Sequence, residues 1–217
     1  MDFGRARQAM VDGQLRPAGI TEAKLLSRFA TVPRERFVPD HRESLAYVDD
    51  IHWFGRAGAS RFMPATVVLA RLLRLAEIGE SDTVLDLGAT TGYATAVIAG
   101  LAAAVTGLES EPDLAARGQR LLSELELSNA SMSSGDLAQV ASDRFSVIFV
   151  QGMLDTVPAA FLGLLKEGGR LVALVRNGPV GLASVMVKMG GHVTARTEFN
   201  AFLPPLPGMQ REEEFVF

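Results

Sequence analysis

The sequence contains no cysteine, and this absence excludes several kinds of site before any motif is considered. Disulfide bridges, zinc sites built on thiolates and cysteine nucleophiles are all ruled out. The three histidines, His41, His52 and His192, are scattered along the chain and form neither an H-x-x-x-H nor an H-E-x-x-H pattern. We therefore expect no metal site.

Long hydrophobic runs and dense basic segments are also missing. The most apolar window, residues 94–105, is about a dozen residues long, which is too short to span a bilayer. The first fifteen residues carry charges at Asp2, Arg5, Arg7 and Asp12 and lack the apolar stretch of a signal peptide. The formal net charge of −4 disfavours binding to nucleic-acid phosphates. We expect a cytoplasmic protein that binds neither nucleic acid nor a membrane.

Length and composition are those of an ordinary globular protein. The chain has 217 residues, of which 48% are hydrophobic and 21% charged, and this length fits one domain. Composition changes once, near residues 55–60, and no internal repeat or low-complexity linker divides the chain. We predict a single domain over residues 1–217, with a helical N-terminal part (1–64) and an α/β core (65–217).

In the second part, short apolar runs alternate with helical periods. We predict strands at 83–87, 105–108, 130–132, 145–150 and 170–175, and helices at 66–77, 92–101, 112–125 and 158–165. Before them we predict helices at 5–15 and 21–30, followed by a proline-bracketed turn at 31–39. The alternation predicts a mostly parallel twisted sheet with helices on both faces. Strand-like runs at 185–187 and 214–217 indicate antiparallel C-terminal edge strands.

The segment from Gly88 to Tyr93 joins the first predicted core strand to a helix. A glycine turn at this point lets the backbone approach a ligand closely, and the start of the helix presents free N–H groups. The spacing is Gly88-x-x-x-Gly92, preceded by Asp86, rather than the dinucleotide fingerprint G-x-G-x-x-G. An acidic side chain there suits the amino-acid end of S-adenosylmethionine better than a pyrophosphate, which disfavours a nicotinamide dehydrogenase.

Two acidic residues follow the next two predicted strands. Glu109, 21 residues after Gly88, can accept hydrogen bonds from both ribose hydroxyls of a nucleoside, and Asp136 can meet an adenine amino group. Singly, each of these residues also fits a structural role, as a turn glycine, an acidic first helical turn or a turn cap. In this order and spacing they predict an adenosine-shaped site at the carboxyl ends of the strands. The predicted cofactor-binding residues are Asp86, Gly88, Ala89, Thr90, Gly92, Tyr93, Glu109, Asp136 and Leu137.

Several blocks between residues 5 and 176 resemble the protein-L-isoaspartate O-methyltransferases. The blocks are Arg7–Leu15, Gly19–Ile20, Val32–Pro39, Ala46–Asp49, Leu85–Gly88, Gly92–Val97, Val157–Pro158 and Leu165–Val172. The resemblance implies a Rossmann-like methyltransferase fold with an N-terminal helical cover, and S-adenosylmethionine as the cofactor. It also implies methyl transfer to the α-carboxylate of isoaspartyl residues in damaged proteins, after which the ester favours succinimide formation and return to aspartate.

The family has a substrate-site serine two residues before a proline, and this sequence departs from that pattern. Counted forward from Gly58, the serine position holds Phe62; counted back from Ala70, it falls on Pro64. The two counts differ by two residues, which indicates a short insertion. Ser60 lies nearby, and it either substitutes for the family's serine or is an ordinary loop serine.

A second departure lies in the cofactor loop. The family has a glycine midway between Gly88 and Gly92, where this chain has Thr90. A β-branched residue tolerates positive φ poorly and adds a side chain where the backbone should approach the ligand. Either cofactor binding weakens, or a rearranged loop lets the hydroxyl contribute a hydrogen bond.

The resemblance also implies which residues frame the substrate. Asp49, two residues after Tyr47, matches an acidic position in the family's substrate loop, and we expect it to hold that loop or the peptide backbone. Ser60 and Thr66 offer polar groups that can orient the incoming carboxylate. The predicted catalytic residues are therefore Ser60, Asp49 and Thr66.

Three further functions compete with an active methyltransferase of isoaspartyl-containing proteins or peptides. Phe62 or Pro64 at the serine position, together with Thr90, favours a degenerate relative that acts as a binding or scaffold protein. A methyltransferase for another acceptor would have its substrate site rebuilt around residues 59–66 and capped by the tail at 202–208. A dehydrogenase is the most distant alternative, because the glycine fingerprint is wrong.

Overall fold

A computed structural model of the protein describes residues 2–55, 61–135, 137, 140–142 and 144–207. The α-helices in this part of the chain are α1 (Phe3–Met10), α2 (Ala23–Thr31), α3 (Thr66–Ala76), α4 (Tyr93–Ala99), α5 (Pro112–Glu124) and α6 (Ala159–Gly163). The strands are β1 (His52–Phe54), β2 (Arg61–Met63), β3 (Thr83–Leu87), β4 (Ala104–Glu109), β5 (Ala130–Ser134), β6 (Phe145–Leu154), β7 (Leu165–Asn177), β8 (Val180–Met189) and β9 (His192–Ala201).

The central sheet contains, within the described residues, seven strands in the order β5-β4-β3-β6-β7-β8-β9. Strands β5 to β7 run parallel, whereas β8 and β9 are joined to them by antiparallel pairing. The central strands β3 and β6 read as nearly continuous apolar runs because both faces of the sheet are covered there. Val84, Val147 and Val172 belong to one buried cluster, while their neighbours Leu85 and Ile148 belong to the other.

The N-terminal part packs on one face of this sheet. Its aromatic side chains meet the start of α4, where Tyr93 lies 5.6 Å from Phe37 and 6.3 Å from Phe29 between ring centroids. Arg28 of α2 donates a hydrogen bond to the carbonyl of Ala96. These contacts hold the helical cover against the segment that follows the cofactor loop.

The predicted α/β architecture with a mostly parallel sheet and antiparallel edge strands is confirmed. The first helix starts as α1 and changes to a π-helical turn over Val11–Leu15. The β1–β2 hairpin was not predicted, and β7 begins at Leu165 rather than Arg170. The strand-like run at 214–217 lies outside the described residues. The division at residue 64 stays a prediction.

No helix in the described part of the chain is long and apolar enough to cross a membrane. No group of three or more histidine or acidic side chains in these same residues is arranged to hold a metal ion.

Candidate functional site

The candidate site lies at the point where the strand order of the central sheet reverses. From β3 the chain moves outward through β4 and β5 and then returns to add β6 on the other side of β3. Open α/β sheets bind ligands in the crevice outside the carboxyl ends of such strands. A cavity of about 90 Å³ lies there, which we call the crevice. The predicted residues Gly88, Glu109 and Leu137 line it, together with Arg61, Phe161 and Leu206, which were not predicted.

The loop after β3 uses three residues with positive φ. Gly88 has φ 75°, Thr90 has φ 49° and Gly92 has φ 83°. Thr90 thus adopts the left-handed conformation usually taken by glycine, asparagine or aspartate. Its side chain is 2% exposed, and its hydroxyl has no hydrogen-bond partner among the described residues. The loop therefore keeps a glycine-like backbone at the cost of strain at Thr90.

Glu109 is the central polar group of the crevice. It ends β4 and is 1% exposed. Its Oε2 accepts a hydrogen bond from the Thr90 amide at 2.9 Å, and its Oε1 accepts one from the Glu111 amide at 2.9 Å. The Nε of Arg61 donates to the same Oε1 at 2.5 Å. Burial of this carboxylate is tolerated because, among the described residues, two backbone amides and the Arg61 guanidinium donate to it, and the guanidinium also supplies the opposite charge.

Asp86 lies beneath the loop rather than on the crevice wall. It is fully buried, and its two oxygens accept hydrogen bonds from Thr95 at 2.7 Å and Gln151 at 2.6 Å. Burial raises the pKa of Asp86 to about 6, against the lowering effect of the Thr95 and Gln151 hydrogen bonds and with a further rise from Glu109. The carboxylate ties β3 to α4 and to the carboxyl-terminal part of β6, and so supports the loop.

Two chain segments that sequence reasoning missed enter the crevice. Arg61 comes from β2, and its guanidinium also donates to the Ser110 hydroxyl. Leu206 comes from the tail, which is fixed by reciprocal backbone hydrogen bonds between Met153 and the tail residues Pro204 and Leu206. A Cβ placed on Gly88 would lie 2.7 Å from Leu206 Cδ1. Neither residue belongs to a local motif, so only the folded chain brings them here.

The remaining predicted cofactor residues lie around the loop. Ala89 is buried, and its amide donates to the Leu108 carbonyl at 3.2 Å. Gly92 caps the N-terminus of α4, and Tyr93 is 1% exposed beneath the N-terminal cover. Asp136 lies outside the described residues. The cofactor-binding roles of these residues stay predictions.

Two of the predicted catalytic residues are described: Asp49 lies in the loop before β1, and Thr66 lies at the start of α3, just after β2; we call these two segments the frame. Asp49 Oδ1 accepts a hydrogen bond from the Val67 amide at 2.9 Å and so caps the start of α3. Thr66 is fully buried, and its hydroxyl has no partner among the described residues, so it does not face solvent. Ser60 lies outside the described residues. Asp49 is therefore held against the start of α3, and the catalytic roles of Asp49, Thr66 and Ser60 stay predictions.

Arg34 joins the two loops of this frame. It is fully buried; its Nε donates to the Ala46 carbonyl at 2.9 Å and its terminal nitrogen to the Pro64 carbonyl at 2.7 Å. Its guanidinium carbon lies 4.8 Å from the centroid of the Tyr93 ring. Burial lowers the pKa of Arg34, and Tyr93 and Asp49 oppose that effect. The residue fixes the loop before β1 against the segment that leads into α3.

Comparisons with known proteins agree with this geometry. The family model described as protein-L-isoaspartate(D-aspartate) O-methyltransferase matches residues 5–208. The chain is 37% identical to protein-L-isoaspartate O-methyltransferase 2 of Anaeromyxobacter sp. (strain Fw109-5), over 83% of this chain and 73% of that protein. It is 33% identical to the protein-L-isoaspartate O-methyltransferase of Koribacter versatilis (strain Ellin345), over 96% of this chain and 93% of that protein.

A solved structure supports the fold. A Plasmodium falciparum protein described as a protein-L-isoaspartate O-methyltransferase, in complex with S-adenosyl-L-homocysteine, superposes with a TM-score of 0.78 at 17% identity. The superposition covers 92% of this chain and 97% of that chain. With the family match over nearly the whole sequence and relatives above 30% identity, the chain belongs to the protein-L-isoaspartate(D-aspartate) O-methyltransferase family.

Proposed function

We propose that this chain is an S-adenosylmethionine-dependent methyltransferase that acts on the carboxylate of isoaspartyl residues in damaged proteins. The observation that carries the proposal is the buried Glu109 carboxylate at the carboxyl end of β4, in the crevice of a chain of this family. A carboxylate in that position accepts hydrogen bonds from the ribose hydroxyls of a nucleoside. The family match adds the methyl donor and the class of acceptor.

The residues of the crevice fit the chemistry of this cofactor. Glu109 would hold the ribose, while Leu108, Leu137 and Phe161 supply apolar walls for an adenine ring. Position 88 must be glycine, because the Cβ of any other residue would clash with Leu206. The loop from Gly88 onward would hold the amino-acid end, with Asp86 supporting it from below.

The methyl transfer requires no general acid or general base from the protein. Bound S-adenosylmethionine supplies an electrophilic methyl group on its sulfonium. The acceptor carboxylate is ionised at neutral pH, so the site needs no general base. The residues of this chain instead orient the acceptor and exclude water, and positioning of this kind lowers a barrier by about 7–11 kcal/mol in the best cases. Leu206 and Pro207 provide the apolar cover at the mouth of the crevice.

The frame next to the crevice has the rigidity that positioning requires. Arg34 links the carbonyls of Ala46 and Pro64, and Asp49 caps α3 through the Val67 amide. These contacts fix the loop before β1 and the loop after β2 relative to each other. In the proposal, Asp49 acts by holding this loop.

The proposal is tested by methyl transfer from labelled S-adenosylmethionine to an isoaspartyl peptide, beside titration with S-adenosylhomocysteine. We expect methyl ester formation on the isoaspartyl peptide and none on the matched aspartyl peptide. Replacing Glu109 by alanine removes the ribose acceptor, so we expect it to weaken S-adenosylhomocysteine binding about tenfold or more.

A matched control separates this loss from a general effect of charge. Glu198 lies on β9, at the opposite edge of the sheet from β4, and Glu198→Ala should bind and turn over like the parent. Absence of S-adenosylhomocysteine binding by the parent protein at millimolar concentration would overturn the proposal. If the protein binds S-adenosylhomocysteine but does not methylate the isoaspartyl peptide, the proposed cofactor stands and the proposed acceptor is wrong.

A further inference from the structure

Arg61 occupies part of the surface that the proposed function assigns to the ribose. Its side chain is 12% exposed, that of Glu109 is fully buried, and the two form an ion pair at 2.5 Å between Arg61 Nε and Glu109 Oε1. A second contact, from the guanidinium to the Ser110 hydroxyl, fixes the orientation of the Arg61 side chain. The positively charged side chain of Arg61, on β2, therefore lies against the central carboxylate of the crevice.

The acceptor capacity of Glu109 is limited. A carboxylate offers about four lone-pair positions, two on each oxygen. Backbone amides take one position on each oxygen, from Glu111 on Oε1 and from Thr90 on Oε2. Arg61 takes the second position on Oε1, so a single position, on Oε2, is left by the residues that the structure describes.

The two hydroxyls of a ribose need two positions, one on each oxygen. Since the two amides belong to the backbone of the cofactor loop and of the turn between β4 and α5, they cannot leave Glu109 without unfolding those segments. Arg61 is the donor on a side chain, and it alone of the three can withdraw by a change of rotamer. Full ribose binding therefore requires Arg61 to leave Oε1.

We infer that Arg61 is a specificity-determining residue of the cofactor site, whose guanidinium competes with one ribose hydroxyl for Glu109. This inference rests on the proposed function, because it assumes that an adenosine cofactor binds in the crevice. A nucleoside with both hydroxyls must displace Arg61. A deoxy analogue with one hydroxyl uses the remaining position on Oε2 and leaves the ion pair intact. Arg61 thus reduces the advantage of ribose over deoxyribose.

The experiment compares S-adenosylhomocysteine with its 2′-deoxy analogue by calorimetric titration of the full chain and of Arg61→Met. Methionine keeps the apolar stem and removes the competing donor. We expect Arg61→Met to bind S-adenosylhomocysteine about tenfold more tightly than the parent, and to bind the deoxy analogue with unchanged affinity. The affinity for S-adenosylhomocysteine divided by the affinity for the deoxy analogue should therefore rise about tenfold. A merely structural role of Arg61 would leave this ratio unchanged.

Two further variants keep the test decisive. Arg61→Gln retains one donor and should give a ratio between those of the parent and Arg61→Met, and it serves if the methionine variant does not fold. Arg196→Ala removes one positive charge from β9 and should leave both affinities unchanged. An unchanged ratio, or weaker S-adenosylhomocysteine binding by Arg61→Met, overturns the inference and leaves the proposed function standing. If neither the parent nor any Arg61 variant binds S-adenosylhomocysteine, both the inference and the proposed function are wrong.

Discussion

Thr90 carries two separate energetic costs in the cofactor loop. A non-glycine residue in the left-handed region costs about 1–2 kcal/mol, and Thr90 adds a branch at Cβ. Its buried hydroxyl, unpartnered among the described residues, costs about 1–3 kcal/mol. Replacing Thr90 by glycine removes both costs and adds about 1 kcal/mol of backbone entropy loss. We expect Thr90→Gly to raise the free energy of unfolding by about 1–4 kcal/mol, measured by urea denaturation.

Thr90→Val provides the matched comparison. Valine keeps the branch and the strained φ but removes the hydroxyl, so its gain should be smaller than that of glycine. A glycine variant less stable than the parent would show that the Thr90 side chain makes a favourable contact that outweighs its strain.

Two buried titratable side chains give opposite pH dependences. Burial raises the pKa of Asp86 to about 6, so its contribution to stability is present below pH 4 and is lost as the pH rises through 6. Burial, assisted by Arg34 and Arg42, lowers the pKa of His52 to about 4, against an opposing effect of Asp50. Its contribution is present above pH 6.5 and is lost as the pH falls through 4. Each shift corresponds to about 3 kcal/mol at its limit.

The prediction concerns the difference between each variant and the parent, measured by urea denaturation between pH 4 and pH 6. Relative to the parent, Asp86→Asn should gain stability as the pH rises across this window, since the unfavourable ionisation of Asp86 is absent. Relative to the parent, His52→Leu should gain stability as the pH falls, because no ring remains to be protonated in the unfolded chain. Parallel profiles for parent and variants would contradict the raised pKa of Asp86 and the lowered pKa of His52.

At the residue scale, the sequence was informative only where a motif fixed both the residue type and its position. Gly88 and Glu109 were predicted, since each follows a strand of the sheet and the ends of parallel strands meet at one edge. Arg61 and Leu206 were not predicted, because they reach the crevice from a hairpin and from a tail with no periodic signal. Asp86 was predicted as a ligand contact, and that role stays a prediction; the structure places it beneath the loop, where its two oxygens accept hydrogen bonds from Thr95 and Gln151.

At the element scale, two glycines on neighbouring elements allow a matched test of the tail. A Cβ on Gly152 of β6 would lie 2.9 Å from the Cα of Leu206, so the tail backbone would have to move. A Cβ on Gly163 of α6 would meet nothing within 4 Å. We expect Gly152→Ala to lower the free energy of unfolding by about 1–3 kcal/mol, and Gly163→Ala to change it by less than about 1 kcal/mol.

Thermal unfolding of the two glycine variants, followed by calorimetry, measures this difference. For a chain of this size, 1 kcal/mol corresponds to about 2–4 °C in Tm. Equal Tm values for the two variants would show that the tail does not pack on β6 as described.

The elements themselves were predictable to different degrees. The core strands and helices were found because apolar runs and helical periods are separated by glycine and proline. The β1–β2 hairpin was missed, since three-residue strands carry no periodicity that distinguishes them from a loop. The full lengths of β8 and β9 were missed for another reason: β9 is exposed over most of its length, so its sequence lacks the alternation of a half-buried strand.

At the scale of the whole molecule, the fold follows from the alternation of strands and helices, and the crevice follows from the strand order. The order itself was not read from the sequence, because no local signal says that β6 returns to lie beside β3. That return places Gln151 and Gly152 next to the loop that begins at Gly88. It explains why the support of the site comes from residues more than sixty positions away.

The contact between Leu206 and Gly88 also orders events during synthesis. These residues lie 118 positions apart, so at typical translation speeds Gly88 is made roughly 6–24 s before Leu206. Throughout that interval the centre of the growing sheet has no tail to cover it. The crevice has its other walls once Phe161 has been made, and it lacks the cover of Leu206 until nearly all of the described chain has been synthesised.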